Sequence, residues 1–303
     1  MNRSVKKLIG TAILIIAAMT VLAACASAQT APQAATAAQL AAALNAMNEG
    51  SARMSGNTVT LTRNVGVQGN LTVPAGVTLE LTADGGLYLR DNVTLTVNGT
   101  VNAPNGKIGY DGDAGARMIT INGNGTIYLT GKRSLFNIDN GRKLTLDGVT
   151  LVGVPDNDES LVTVNNGGEL VLVSGAITGN TSISEEYADA GGVRVARGTF
   201  TMSGGAIYGN TAQGSVRNFG GGGVKLNEGA TFTMSGGRIQ GGTASDGYAA
   251  NTLNQSNQSA AIEVSQSTAR WGTGGTYTRG GVNQSGGSNI ASTNDTLIAI
   301  PAR

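Results

Sequence analysis

One stretch of this sequence is written twice, and that repeat limits what the chain can fold into. Residues 191–212 read GGVRVARGTFTMSGGAIYGNTA, and residues 222–244 read GGVKLNEGATFTMSGGRIQGGTA. Fainter copies cover residues 161–181 and 261–278. A unit of this length cannot bury its own apolar face, so it must stack against neighbouring copies. The repeat therefore predicts a solenoid.

Each copy combines an alternating segment with a glycine-rich turn. In the run Thr199, Phe200, Thr201, Met202, the apolar side chains fall on one face of an extended chain and the threonines on the other. That alternation is typical of a half-buried β-strand. The chain has 47 Gly, but 40% of its residues are hydrophobic and they recur regularly, which favours packed β-structure over disorder.

Coils of a parallel β-helix lie about 4.8 Å apart, so equivalent residues form rows along the axis. The sequence predicts an apolar row that advances by steps of 26, 31, 31 and 38 residues through Phe136, Val162, Val193, Val224 and Ile262. It predicts an aromatic row of Phe200, Phe232 and Trp271. A corner row of asparagines is predicted to contain Asn180 and Asn210 and to end at Gly242. The unequal steps indicate insertions confined to one corner.

The repeat resembles a known group of solenoids. SGGAIYGNT followed by GGGVKLNEGATFTMSGG is similar to the glycine-rich β-helix repeats of bacterial surface and secreted proteins in the pectate-lyase-like superfamily. The resemblance implies a right-handed coil, as does the general preference for right-handed crossovers. We therefore expect an all-β fold, a right-handed single-stranded parallel β-helix of about eight to ten coils over residues 50–303. The superfold carries both enzymes and adhesins, so the resemblance implies no activity.

One helix is predicted, over residues 36–49, just before the first strand. Thr36 and Gln39 match a capping box, and Gly50 provides a stop. A helix at this place would cover the open end of the solenoid. Strands are predicted at 58–62, 70–73, 77–81, 86–89, 93–97, 118–121, 126–129, 135–138 and 143–151.

The amino-terminal segment, residues 1–24, is typical of a secretion signal, with three cations before an apolar run that is short for a membrane span. Leu22-Ala23-Ala24-Cys25 resembles the lipobox of bacterial lipoproteins. That resemblance implies cleavage before Cys25, lipidation of Cys25 and a tether over residues 25–35. Ordinary signal cleavage after Ala26-Ser27-Ala28 is the alternative.

Composition excludes several classes of site. The chain has no histidine and a single cysteine, so histidine catalysis, His/Cys zinc sites and intramolecular disulfides are excluded. Without the three cations of the signal, 17 Lys and Arg remain against 19 Asp and Glu, and no basic patch indicates a nucleic-acid partner. The expected partner is a membrane, reached through the lipid anchor, in a bacterial cell envelope at the outer membrane or cell surface.

Two acidic loops fall where the repeat lengths change, and they contain Asp156, Asp158, Glu159, Glu185, Glu186 and Asp189. The step from Asp156 to Glu185 is 29 residues, close to the local repeat, so the loops should lie side by side on successive coils. Carboxylate oxygens are the ligands that Ca²⁺ prefers, which makes these six residues candidates for a calcium site. A solvated acidic surface is the alternative.

Binding groups tend to sit on loops carried by a rigid scaffold. We expect a surface-displayed protein that adheres to a host or envelope polysaccharide or to a matrix protein, without catalysis. Tyr187 and Tyr208 are the binding candidates because both should be exposed. No residue is assigned a catalytic role.

The sequence also bears on two other functions. The resemblance also allows a polysaccharide lyase or glycoside hydrolase of β-helix type, with or without Ca²⁺, for which the further carboxylates are Asp111, Asp113, Asp139 and Asp147. Ice binding by outward threonines (Thr199, Thr201, Thr231 and Thr233) is disfavoured because Arg270 and Trp271 interrupt the row.

The lipid anchor is testable with Cys25→Ala. Wild-type protein is expected to incorporate an alkyne fatty acid during growth and to sediment with membranes, whereas the variant, which lacks the thiol, should incorporate none. Ala28→Leu is the control, since it blocks ordinary cleavage and leaves the lipobox intact, so it should still be labelled. Equal labelling of the Cys25→Ala protein would contradict the assignment.

Overall fold

The computed structural model describes residues 35–112, 116–184, 189–214, 220–253 and 260–302. Residues Ala34–Arg303 form one compact unit. It is almost entirely β, with a short helix near the amino end and long stacks of parallel strands, which confirms the predicted parallel β-helix. Among the described residues, no helix has the length and apolar character needed to cross a membrane. The predicted signal, Cys25 and nearly all of the tether lie outside them.

The elements are short and follow one another closely along the chain. The first part contains α1 (Ala37–Met47), β1 (Ala52–Ser55), β2 (Thr58–Leu61), β3 (Val65–Val67), β4 (Leu71–Val73), β5 (Thr78–Leu81), β6 (Leu87–Leu89), β7 (Val93–Val97), β8 (Thr100–Ala103), β9 (Ile108–Tyr110), β10 (Met118–Asn122), β11 (Thr126–Leu129), β12 (Phe136–Ile138), β13 (Lys143–Asp147) and β14 (Thr150–Val152). The second part contains β15 (Val162–Val164), β16 (Glu169–Leu172), β17 (Ala176–Thr178), β18 (Thr181–Ser184), β19 (Val193–Val195), β20 (Thr199–Tyr208), β21 (Thr211–Gly214), β22 (Val224–Leu226), β23 (Thr231–Ile239), β24 (Thr252–Leu253), β25 (Ile262–Val264), β26 (Thr268–Trp271), β27 (Thr276–Arg279), β28 (Val282–Gln284) and β29 (Leu297–Ile300).

Parallel pairing between successive coils arranges these strands into faces. The first face stacks β4, β7, β10, β13, β16, β20, β23 and β26. The second face stacks β2, β5, β8, β11, β14, β17 and the later halves of β20 and β23. The third face consists of β3, β6 and β9, followed by β12, β15, β19, β22 and β25. A short extra sheet of β18, β21 and β24 lies between the second and third faces in chain order.

The core is built from inward rows of apolar side chains. The predicted row that starts at Phe136 and ends at Ile262 is confirmed at each of its four steps. Phe200 lies beside Phe232, with ring centroids 5.0 Å apart, as predicted. Each strand has two inward positions. The alternation of apolar and polar residues therefore does not determine which of the two continues a given row.

Trp271 does not continue the aromatic row, so that part of the prediction is wrong. Ala269 is the residue opposite Phe232, and Trp271 is opposite Met234. Both Ala269 and Trp271 face inward and are two residues apart. The observed register of β26 is therefore shifted by two residues from the predicted one. Trp271 packs instead against Tyr277, with ring centroids 5.4 Å apart.

The helix α1 covers the amino end, close to the predicted bounds of 36–49. Thr36 is the N-cap, and its hydroxyl accepts a hydrogen bond from the Gln39 amide at 3.3 Å. Leu40 and Leu44 are fully buried against the first coil. Asn45 connects the helix to β1 through two hydrogen bonds. Its side-chain oxygen accepts from the Ala52 N–H at 2.8 Å, and its side-chain amide donates to the Ala52 carbonyl at 2.9 Å.

At the carboxyl end the chain reverses direction. Strand β29 pairs antiparallel with β23 and β27, and β28 pairs antiparallel with β27. Tyr277 in β27 is 1% exposed and fills the end of the core. Strand β29 thus belongs to a cap, which stops parallel stacking from continuing.

The predicted strand 143–151 is in fact two strands, β13 and β14. Gly148 separates them with a φ of 94°, a conformation that disfavours other residues. A Cβ at Gly148 would lie 2.2 Å from the Gly123 carbonyl oxygen, so only glycine fits this corner. The predicted break in the outward threonines is confirmed for one row only: Arg270 lies opposite Thr233, but Thr268 lies opposite Thr231 and continues the other row.

Phe232→Asp tests the inward row. The carboxylate would enter an apolar core where Phe232 has no exposed surface, so the free energy of unfolding should fall by about 3 kcal/mol or more. Thr231→Asp, at an exposed position on the same strand, should change it by less than about 0.5 kcal/mol. Thermal unfolding followed by circular dichroism measures both. Equal melting temperatures for the two variants would show that Phe232 is not in the core.

Candidate functional site

The extra residues of the later coils accumulate between the second and third faces. The chain takes ten residues to pass from Val152 to Val162, and fifteen to pass between the in-register positions Thr178 and Val193 one coil later. In a later coil, the long segment 240–251 falls at the same place, before β24. The prediction of a single insertion corner is confirmed.

A ladder of buried asparagines holds this corner together. Asn157, Asn180, Asn210 and Asn251 have no exposed surface. The Asn157 amide donates to Asn180 Oδ1 at 2.9 Å, the Asn180 N–H donates to Asn210 Oδ1 at 3.2 Å, and the Asn210 N–H donates to Asn251 Oδ1 at 3.0 Å. The ladder thus extends across four coils. The prediction that it ends at Gly242 is wrong, because the inserted segment returns the chain to the row at Asn251.

The ladder satisfies main-chain groups where the strands turn. Asn180 Nδ2 donates to the carbonyls of Glu159 and Gly191 at 3.0 and 2.7 Å. Asn210 Nδ2 donates to Ile177 O and Tyr208 O, both at 3.0 Å. Buried carbonyls left without such donors would cost about 1 to 3 kcal/mol each. Polar side chains are therefore required at these inward corner positions.

The first acidic loop is bound to the coil before it. Asp156 forms an ion pair with Lys132 at 3.7 Å, and Asp158 accepts from the Arg133 N–H at 2.9 Å. Glu159 forms an ion pair with the Arg133 guanidinium at 3.1 Å. The Glu159 carboxylate also accepts hydrogen bonds from the backbone and hydroxyl of Ser134, each at 3.0 Å. Sequence reasoning missed Lys132, Arg133 and Ser134, although the local repeat of about 25 residues places them opposite these carboxylates.

The start of the second acidic loop lies beside the first loop, since Asn157 bridges to Ser182 in β18. Its described carboxylate, Asp189, interacts with Arg194 Nε at 3.1 Å and Lys225 Nζ at 3.6 Å. Burial lowers the pKa of Lys225 below its ordinary value of 10.5, and the Asp189 carboxylate opposes that shift. Asp189 therefore anchors its loop to the third face.

An open cleft of about 440 Å³ follows the corner. Its walls combine charged, amide and apolar side chains, namely Lys132, Asp156, Asp158, Ile183, Ser184 and Gln213. Lys132 follows β11, Asp156 follows β14, and Ile183 and Gln213 lie in register on β18 and β21. The walls therefore come from four successive coils, so the cleft runs along the solenoid axis for about three strand spacings, or about 14 Å.

Tyr208 lies at the edge of this corner, at the end of β20, and is half-buried. Its ring meets that of Tyr248 at a centroid distance of 5.1 Å and an angle of 76°. The guanidinium of Arg238 lies 4.9 Å from the Tyr248 centroid. The other tyrosine candidate, Tyr187, lies outside the described residues, as do Glu185, Glu186 and Asp113.

Within the described ranges, no three His, Cys, Asp or Glu side chains converge as metal ligands. Asp156, Glu159 and Asp189 each have a cation as partner. Because Glu185 and Glu186 lie outside those ranges, the calcium site at this corner stays a prediction.

The other carboxylates named for a hydrolase have structural partners. Asp111 forms an ion pair with Arg90 at 2.9 Å, and Asp139 with Arg142 at 3.1 Å. The Ser174 hydroxyl donates to Asp147 at 2.6 Å.

Comparison of the chain with protein-family models, with curated proteins and with solved structures gives no match.

Asn210→Ala tests the ladder. It removes the acceptor of the Asn180 N–H and the donor to the Ile177 and Tyr208 carbonyls, so the free energy of unfolding should fall by about 3 kcal/mol. Asn166→Ala, at an exposed turn position, is the control and should stay within about 0.5 kcal/mol of wild type. Denaturant unfolding gives both values. An Asn210→Ala protein as stable as the control would mean that the ladder does not stabilise the corner.

Proposed function

We propose that the protein is a lipid-anchored β-helix of the bacterial cell envelope that binds an extended polymer, a polysaccharide or a matrix protein, without catalysing a reaction. The observation that carries this proposal is the cleft formed by four successive coils. A cleft of that shape fits a segment of a long ligand better than a compact metabolite. The lipid anchor rests on the residues around Cys25.

The chemistry of the cleft supports binding of a polar chain. Ile183 is 39% exposed and provides an apolar surface, while Gln213 and Ser184 provide amide and hydroxyl groups. Binding sites commonly combine apolar walls with a few polar groups that set orientation. Asp156 and Lys132 form an exposed pair at one end, so the cleft has both signs of charge to offer.

The arrangement of carboxylates favours binding over hydrolysis. A glycosidase uses two carboxyl groups on opposite sides of the scissile bond. Asp156 and Asp158 belong to one loop on one wall of the cleft. Asp158 accepts from the Arg133 N–H and Asp156 pairs with Lys132. Among the described residues that line the cleft, no second carboxylate faces these two from another wall.

Ile183→Trp should block the cleft and weaken polymer binding by about tenfold or more. The matched control is Val173→Trp, since Val173 is 38% exposed, directly follows β16 and is not among the residues that line the cleft. A screen of pectin, alginate, glycosaminoglycans and matrix proteins identifies the ligand, and isothermal titration calorimetry gives the affinities.

Two results would contradict the proposal. Equal affinities of the Ile183→Trp and Val173→Trp proteins would show that the ligand does not use the cleft. Release of reducing ends or unsaturated products from any of these polysaccharides by the wild-type protein would show an enzyme instead.

A further inference from the structure

The outer surface of the second face contains a continuous column of side chains that is separate from the cleft. Strands β2, β5, β8, β11, β14, β17 and β20 are in parallel register, and one outward position per strand gives the column Thr60, Glu80, Asn102, Tyr128, Val152, Thr178 and Tyr208. Successive members are about 4.8 Å apart, so the column is about 29 Å long. Each member is at least partly exposed.

A second column runs beside the first, two residues earlier on each strand. It consists of Thr58, Thr78, Thr100, Thr126 and Thr150, followed by Ala176 and Ala206. The two columns are about 7 Å apart, which is the distance between alternate residues of a strand. The five threonines offer hydroxyl groups, each able to donate and accept a hydrogen bond, at every strand spacing.

Two tyrosines stand out from the first column. Tyr128 is 42% exposed, and Tyr208 is three strands further along, about 14 Å away. The positions between them hold the shorter side chains of Val152 and Thr178. The two tyrosines therefore flank a segment of the column with shorter side chains.

Tyr208 is held in place by the longest inserted segment, residues 240–251. Tyr248 of that segment packs edge-on against it. Arg238 fixes the segment, with its guanidinium bound to Asp246 at 2.9 Å, Ser245 at 2.6 Å and Gln240 at 2.7 Å. A ring immobilised before binding loses little conformational entropy when a ligand arrives.

The surface carries little charge. Glu80 is the charged member of the first column; its carboxylate accepts a hydrogen bond from the neutral Asn102 amide and keeps its negative charge. Arg238, at the end of the second column, is neutralised by Asp246. Such a surface does not attract a polyanion, but it offers ring faces and hydroxyls to an uncharged chain.

We propose that this surface is a second binding site, for a linear uncharged polysaccharide that lies along the solenoid axis. Its pyranose rings contact Tyr128 and Tyr208, and its hydroxyls hydrogen-bond to the threonine column and Asn102. The regular spacing of the columns matches a ligand that repeats along its length. The site is independent of the cleft and does not require that the cleft bind the same polymer.

The site is tested by affinity electrophoresis in gels that contain hydroxyethylcellulose, laminarin or dextran, with polygalacturonate as the charged comparison. At least one neutral polymer should retard the wild-type protein. Tyr128→Ala and Tyr208→Ala should each raise the Kd by about tenfold, because each removes one ring contact. Tyr208→Phe, which keeps the packing against Tyr248, should bind within about twofold of wild type. Tyr88→Ala, on the third face, is the matched control and should have no effect.

Oligosaccharides of increasing length give a second measurement. Affinity should rise once a ligand spans both tyrosines, and Tyr128→Ala should abolish that rise while leaving the melting temperature unchanged. The proposal is overturned if no neutral polymer retards the protein, or if the Tyr128→Ala and Tyr208→Ala proteins bind like wild type. Loss of neutral-polymer binding in Ile183→Trp alone would place that ligand in the cleft, which supports the proposed function and refutes this second site.

Discussion

Hydrogen bonding between coils, and not within them, is the interaction on which this structure depends. In the central coils a strand has its partners in the coil before and the coil after, as Val162 does with Phe136 and Val193. Strands of three to five residues would be unstable alone, so each coil becomes stable only as part of the stack. The inward apolar rows and the asparagine ladder follow from the same register, because equivalent residues are brought into contact at every step.

A solenoid exposes the core and the strand edges of its first and last coils. The two ends of this chain are covered by different elements. At the amino end, α1 buries Leu40 and Leu44 over the first coil. At the carboxyl end, β29 runs antiparallel to β23, so a further parallel coil cannot be added on that face.

The sequence was sufficient to predict the coil because alternation and repeat length are local signals. Those signals placed the row from Phe136 to Ile262 correctly. They could not choose between Ala269 and Trp271, which face the same way. They also missed the ion pair between Arg133 and Glu159, because the repeat was used to align inward apolar positions and not the side chains of the loops. Only Asn180 and Asn210 of the asparagine ladder were predicted. Its last member, Asn251, was missed because it follows an insertion that breaks the repeat.

Function in a solenoid is limited to positions that the stack does not need. Inward positions must stay apolar, and corner positions such as Asn180 must satisfy buried backbone groups. Outward positions are free to vary, yet the register still aligns them at a fixed spacing of about 4.8 Å. Any binding surface on such a scaffold is therefore elongated and periodic, whether it is the cleft beside Ile183 or the columns that contain Tyr128. That geometry favours ligands with a repeat of their own.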